Sequence, residues 1–188
     1  QDILTISQIE SGEIKMHLEN FDMRAMCHDI IDQLEGKADK KGVKLKISKK
    51  YKDPYIVRGD YRRIYQVMLN LISNAIKYTR KGGQAKISFE EMLDDKIRIS
   101  VSDNGRGIPE SDIARIFERF YRVDKSRSRE KGGTGLGLSI VKHILESHQS
   151  EIFVDSEYRI GSTFYFDLER ASYIDKIDDG WEEEEDYA

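Results

Sequence analysis

Residues 85–102 alternate twice between apolar and polar side chains, and that double alternation limits the fold more than any other feature of the chain. Ala85, Ile87 and Phe89 share one side of a first run, Ala85–Met92. Ile97, Ile99 and Val101 share one side of a second, Lys96–Ser102, and Asp94-Asp95 lies between them. A period of two marks a strand buried on one face only, and two such runs around a short polar turn form an antiparallel hairpin. A sheet built on this hairpin has one face for the core and one for water. That excludes a doubly wound parallel sheet, whose strands are covered on both sides.

The remaining periodicities fit around it. Ile3, Ile6 and Ile9 recur at helical spacing and stop at Gly12, and Ile14, Met16 and Leu18 then alternate as a strand. Asp22 is placed to cap a helix running to Lys41, with Gly42 as its stop. Val43, Leu45 and Ile47 form a strand, and Tyr55–Val57 a shorter one. Asp60 can cap a long helix from Tyr61 to about Thr79, ended by Gly82-Gly83. A short helix is expected over Ser111–Phe120 and another from about Thr134 to His148. Glu151–Ser156 and Thr163–Leu168 make a last hairpin. The expected fold is an α/β two-layer sandwich, a mixed, mostly antiparallel sheet with helices on one face.

Charge narrows the partners. The net charge is −4, but residues 178–188 (DDGWEEEEDYA) carry seven acids and no Lys or Arg. With those set aside, 31 Lys and Arg face 28 Asp and Glu. A weakly positive body suits a small anion and is too evenly spread for a nucleic-acid surface. The single cysteine, Cys27, excludes an internal disulfide and paired-cysteine zinc sites. Apolar runs are short and broken by charge, so no membrane span or signal peptide is expected in these residues.

Three patches carry chemistry. On the long helix, Asn70, Asn74, Lys77 and Tyr78 fall within about 100° of arc, while Val67, Met68, Leu71, Ile72 and Ala75 fill the arc beside it. Amide oxygens can ligate a hard Mg²⁺ ion, Lys can neutralise phosphate, and a Tyr ring can lie against a base. Alone, the stripe is equally well a solvated face. The second patch, Asp103–Pro109 (DNGRGIP), follows a strand, and its glycines permit tight turns close to a ligand. A plain Gly-Pro turn explains those glycines but gives Asp103 no task. The third, Gly132–Leu138 (GGTGLGL), leads into a helix whose free N–H groups could hold phosphate. Neither the dinucleotide fingerprint nor the P-loop fits its spacing.

In order and content, these patches resemble the N box and the two glycine boxes of the histidine-kinase branch of the Bergerat-type ATPases. Ile116–Asp124 (IFERFYRVD) resembles the F box, and the F box with the Lys77-Tyr78 pair favours this branch over gyrase-like and Hsp90-like relatives. The resemblance implies that Asn74 holds Mg²⁺ with Asn70 assisting, Lys77 contacts phosphate and Tyr78 packs on adenine. It implies that Asp103 reads the adenine amino group, with Gly105, Gly107 and Ile108 shaping the turn around the base. Arg122 would approach the γ-phosphate, and the backbone of Gly133, Thr134, Gly135, Leu136 and Gly137 would close over the phosphates. Arg119, Lys125, Arg127, Arg129 and Lys131 read as solvated charges.

The same resemblance sets the wider expectations. Residues 13–170 would be a catalytic, ATP-binding domain, 1–12 the end of a second dimerisation-domain helix and 171–188 a disordered acidic tail. No His-Glu or His-Asp phosphoacceptor motif begins the chain. His28 precedes an acid but lies inside the Asp22–Lys41 helix, and His17, His143 and His148 match no metal motif. The expected partners are therefore an absent dimerisation domain, which carries the acceptor histidine, and a response regulator. The parent would be a membrane-bound homodimeric sensor, with this domain cytoplasmic and monomeric when isolated. A degenerate nucleotide-binding module and a gyrase-like conformational ATPase are the competing readings. His148-Gln149-Ser150 departs from a turn that in the family commonly contains glycine.

Overall fold

Two aspartates turn strand into helix. Asp22 ends β1 (Leu18–Asp22) and caps α1 (Met23–Lys41), its carboxylate accepting from Arg24 N–H at 2.9 Å. Asp60 ends β3 (Ile56–Asp60) and caps α2 (Tyr61–Tyr78), accepting from Arg63 N–H at 3.2 Å. β1 and β3 pair antiparallel from Leu18↔Asp60 to Asp22↔Ile56, so both helices leave one small sheet. These features belong to a computed structural model that describes Ser7 and residues 15–48, 54–123 and 133–172. Most of the expected first helix lies outside the described residues. So do Ile14, Lys125, Arg127, Arg129, Lys131, Gly132 and the acidic segment.

The main sheet has the order β2-β4-β5-β7-β6. Its strands are β2 (Lys44–Ile47), β4 (Gln84–Met92), β5 (Lys96–Asp103), β6 (Phe153–Glu157) and β7 (Gly161–Glu169). Only β2 and β4 run parallel; the other three pairings are antiparallel. The β4–β5 turn needs positive φ at Asp94 (65°) and Asp95 (53°), which aspartate tolerates better than most residues. Alternate residues of β4, β5 and β7 are buried, among them Ile87, Phe89, Ile97, Ile99, Phe164 and Phe166. They meet the apolar side of α2, where Ile64, Val67, Met68, Leu71, Ile72, Ala75 and Ile76 are buried. α1 and α4 (Gly137–Ser147) pack on either side of α2. The result is the expected mixed sheet with helices on one face. Among the described residues, no helix is long and apolar enough to cross a membrane.

Several boundaries differ from the sequence reading. Alternation from Ile14 suggested an earlier strand, yet β1 begins at Leu18, where pairing with β3 begins. His17 therefore precedes the strand, its N–H donating to Asp60 Oδ2 at 3.0 Å. α2 ends as expected, at Tyr78 with Thr79 as its cap, and the Thr79 hydroxyl donates to Ala75 O at 2.7 Å. Lys41 Nζ donates to the carbonyls of Ile76 and Lys77 and so occupies acceptors that another helical turn would use. Only α3 (Glu110–Ile113) forms within the expected Ser111–Phe120 helix. Phe120 instead takes φ 60°, and its N–H donates to Gly135 O at 3.0 Å, so a tertiary contact overrides helical periodicity. α4 starts at Gly137, later than Thr134. The departure at His148–Ser150 places Gln149 at φ 55°, the conformation that glycine would hold without strain.

His148 joins the end of α4 to the start of α2. Its Nε2 accepts from Asp60 N–H at 2.9 Å and its Nδ1 donates to Ile144 O at 2.7 Å, a pattern only the neutral ring can make. Burial lowers its pKa below the ordinary 6.5, against smaller opposing effects from the Ile144 bond and Asp60. The unfolded chain thus binds this proton more readily than the folded one. Its contribution to stability is present above about pH 6.5 and is lost as pH falls through the lowered value. Urea unfolding should show stability falling with pH in that window, by at most about 1.4 kcal/mol per pH unit from this one proton. That slope should disappear in His148→Gln; an unchanged slope would show that another group carries it.

Candidate functional site

The polar stripe of α2 faces a cavity of about 400 Å³. Asn70, Asn74, Lys77 and Tyr78 all line it, as do Asp103, Gly107 and Ile108 from the loop after β5. Arg122, Gly133, Thr134, Gly135 and Gly137 line the opposite side. Two of the sequence-derived positions lie elsewhere. Leu136 points its side chain into the core at 2% exposure, and Gly105 sits behind the cavity wall, buried against Tyr78. The structure therefore brings three sequence-distant patches to one opening.

Asp103 is fixed before any ligand arrives. It is the last residue of β5, and its carboxylate accepts from Gly105 N–H at 2.9 Å and from the backbone N–H of Ser162. Burial pushes its pKa above the usual 3.8, and these two bonds offset part of that rise. The loop is clamped on both sides. Arg106 N–H donates to Tyr78 O at 3.2 Å, while Arg106 O accepts from Arg159 N–H at 2.6 Å. Ile108 N–H donates to Ser156 Oγ at 2.9 Å. Gly107, at φ 64°, runs so close to β6 that an added Cβ would lie 2.0 Å from Glu157 O.

At the other end the charges are positive. A Cβ placed on Gly133 would lie 2.8 Å from Lys77 Nζ and 3.1 Å from Arg122 Nη2, so both cationic heads converge on this glycine. Asn70 Nδ2 donates weakly to Gly137 O at 3.4 Å and ties α2 to the start of α4. α4 has no side-chain cap, which leaves the N-terminal N–H groups of an eleven-residue helix for another acceptor. Tyr78 is 37% exposed, with the Arg106 guanidinium 4.5 Å and the Lys77 ammonium 5.3 Å from its ring centre. Among the described lining residues, Lys37, Lys77, Arg106 and Arg122 are cationic and Asp103 alone is acidic.

The sequence reading missed Lys37, Ser73, Arg106, Tyr121 and Ser162. Ser162 was accessible through strand register, because β7 pairs it with Asp103. Tyr121 and Arg106 lie inside quoted motifs but had no assigned role. Nothing local to Lys37 points to the cavity. Among the described residues there is no cluster of three His, Cys, Asp or Glu that could hold a metal. The donors available are the neutral amides of Asn70 and Asn74. That set does not cage a metal by itself, but it suits Mg²⁺ held largely by phosphate oxygens and water.

Comparison with known proteins shows which family the chain and its fold resemble. Residues 59–172 match the family model described as histidine kinase-, DNA gyrase B-, and HSP90-like ATPase. The sensor histidine kinase WalK of Bacillus subtilis is 37% identical over 183 residues, 97% of this chain and 29% of WalK. The chain thus spans under a third of that relative. The catalytic domain of histidine kinase ThkA superposes with a TM-score of 0.70 at 30% identity, over 84% of this chain and 97% of that one. ThkA solved in complex with the response regulator TrrA matches with a TM-score of 0.70 at 27% identity, over 90% of this chain and 47% of that one.

Proposed function

This chain belongs to the histidine kinase-, DNA gyrase B- and HSP90-like ATPases as a histidine-kinase catalytic, ATP-binding domain, and we propose that it transfers the γ-phosphoryl group of ATP to a histidine on a dimerisation domain. The observation that carries the proposal is the division of the cavity. A half-buried, pre-oriented carboxylate stands at one end, and two cations converge beside an uncapped helix start at the other. A base bearing an amino group and a polyphosphate chain make complementary demands.

In the proposed mechanism Asp103 accepts from the adenine amino group, and Ile108 with the clamped glycine loop bounds the base. Tyr78 adds its ring to that wall. Lys77 and Arg122 stabilise the negative charge that moves with the transferred group, an electrostatic contribution already in place before reaction. The backbone of Gly133, Thr134, Gly135 and Gly137 supplies further donors. Asn74, with Asn70 beside it, would hold Mg²⁺, which when bound neutralises phosphate charge and orients the reacting phosphoryl group.

The phosphohistidine would then supply an aspartate on a response regulator, and the likeness to ThkA, solved with TrrA, supports that partner. We propose residues 13–170 as the catalytic domain, with 1–12 completing a dimerisation helix and 171–188 an acidic extension. The same reading makes the parent a membrane-bound homodimeric sensor, of which this chain would be one part, as it spans 29% of the sensor histidine kinase WalK. Mixing this chain with a separately produced dimerisation domain and γ-labelled ATP should place label on the acceptor histidine. ATP binding without any labelling in trans would overturn the transfer step.

A further inference from the structure

Lys37 is the one cavity-lining cation that comes from α1, an element containing none of the nucleotide motifs. Its position follows from two flanking contacts. Gln33 Oε1 accepts from Tyr65 O–H at 2.5 Å, and one turn after Lys37 the Lys41 ammonium donates to Ile76 O at 2.6 Å. α1 and α2 therefore run side by side in the same direction. Lys37 falls between these contacts, level with the middle of α2, where Asn70, Ser73 and Asn74 line the cavity.

Its charge is uncommitted. The neighbours at helical spacing are Gln33, Leu34, Lys40 and Lys41, none of them acidic. Among the described residues, no hydrogen bond or ion pair holds its ammonium. The single lining carboxylate, Asp103, already accepts from Gly105 and Ser162. Lys41 spends its charge on the end of α2, whereas Lys37, on the same side of α1, meets an opening rich in amides and positive charge. Another cation there is unfavourable unless a polyanion enters. A compact ammonium on a flexible stem suits a phosphate oxygen that projects past the α2 stripe.

We propose that Lys37 binds the terminal phosphate of ATP from the α1 wall and contributes to discrimination between ATP and ADP. The inference rests on the nucleotide reading above and adds a residue to it. Calorimetric titration of the full chain with Mg-ATP and Mg-ADP tests it. Lys37→Ala should weaken ATP roughly tenfold and ADP by less than about twofold. Lys37→Arg should retain most of the ATP affinity, and Lys37→Gln should behave like Lys37→Ala. Raising ionic strength should weaken ATP binding to the unsubstituted chain more steeply than to Lys37→Ala. Unchanged ATP affinity in Lys37→Ala, or equal losses for ATP and ADP, would overturn the role of Lys37 and leave the nucleotide site standing. No ATP binding by the unsubstituted chain would overturn both.

Discussion

Asp103→Asn is expected to lower ATP affinity by roughly thirtyfold to a hundredfold while leaving the domain at least as stable as before. The two results have one cause. In the folded chain the carboxylate accepts from Gly105 N–H and Ser162 N–H and keeps acceptor capacity toward the cavity. Asn can keep the Gly105 N–H bond through its oxygen, but it then places an NH₂ group where the second carboxylate oxygen would meet the adenine amino group. Two donors would face each other, each losing the partner it had in water. The stability argument runs through linkage. Burial raises the folded pKa above 3.8, so the folded state holds this proton more tightly than the unfolded chain. Its carboxylate therefore costs stability as pH rises through the raised value, the reverse of an aspartate in an ion pair. Asn removes that cost at neutral pH. ATP titration and urea unfolding at pH 7 measure both halves. A purine with a 6-oxo group offers an acceptor where adenine offers a donor, so inosine triphosphate should gain on ATP in the variant. Equal ATP affinity in the two proteins would show that Asp103 does not read the base.

Local rules made the elements legible, and tertiary contacts set the rest. Asp22, Gly42 and Asp60 were identifiable as caps because capping is decided within four residues, and all three hold. Asp94-Asp95 marked the β4–β5 turn for the same reason. Phe120 was misread as helical because its conformation depends on Gly135, fifteen positions away. The end of α2 near Thr79 was legible, whereas the Lys41 ammonium that holds its last carbonyls comes from another helix and was not. The cavity divides likewise. Asn70, Asn74, Lys77 and Tyr78 repeat with the helix and declare a common face. Gly105 and Leu136 lie within the motifs, yet one supports a turn and the other fills the core, a distinction that spacing does not encode. Ser162 and Lys37 enter from β7 and α1, so only strand register and helix packing place them at the site.

Gly107→Ala should be the most damaging single-methyl change in this region, and its effect should reach both stability and binding. At φ 64° an alanine costs about 1–2 kcal/mol before any contact is considered. The added Cβ would then lie 2.0 Å from Glu157 O and 2.7 Å from Glu157 C, both backbone atoms of β6. Backbone cannot rotate away as a side chain can, so the loop or the β6–β7 turn must move by more than an ångström. That movement pulls on the bonds that orient the site, Ile108 N–H to Ser156 Oγ and Arg159 N–H to Arg106 O. A total loss of about 3–5 kcal/mol is expected, with ATP binding abolished or reduced at least about a hundredfold. Gly36 supplies the contrast. It lies within α1 with nothing inside 4 Å of an added Cβ, so Gly36→Ala should stabilise the domain by about 0.5–1 kcal/mol and leave ATP affinity unchanged. Thermal melts with parallel ATP titrations of the two variants separate the cases. If Gly107→Ala melted and bound like the unsubstituted chain, the clamp of loop 103–109 against β6 would not be what holds Asp103 in place.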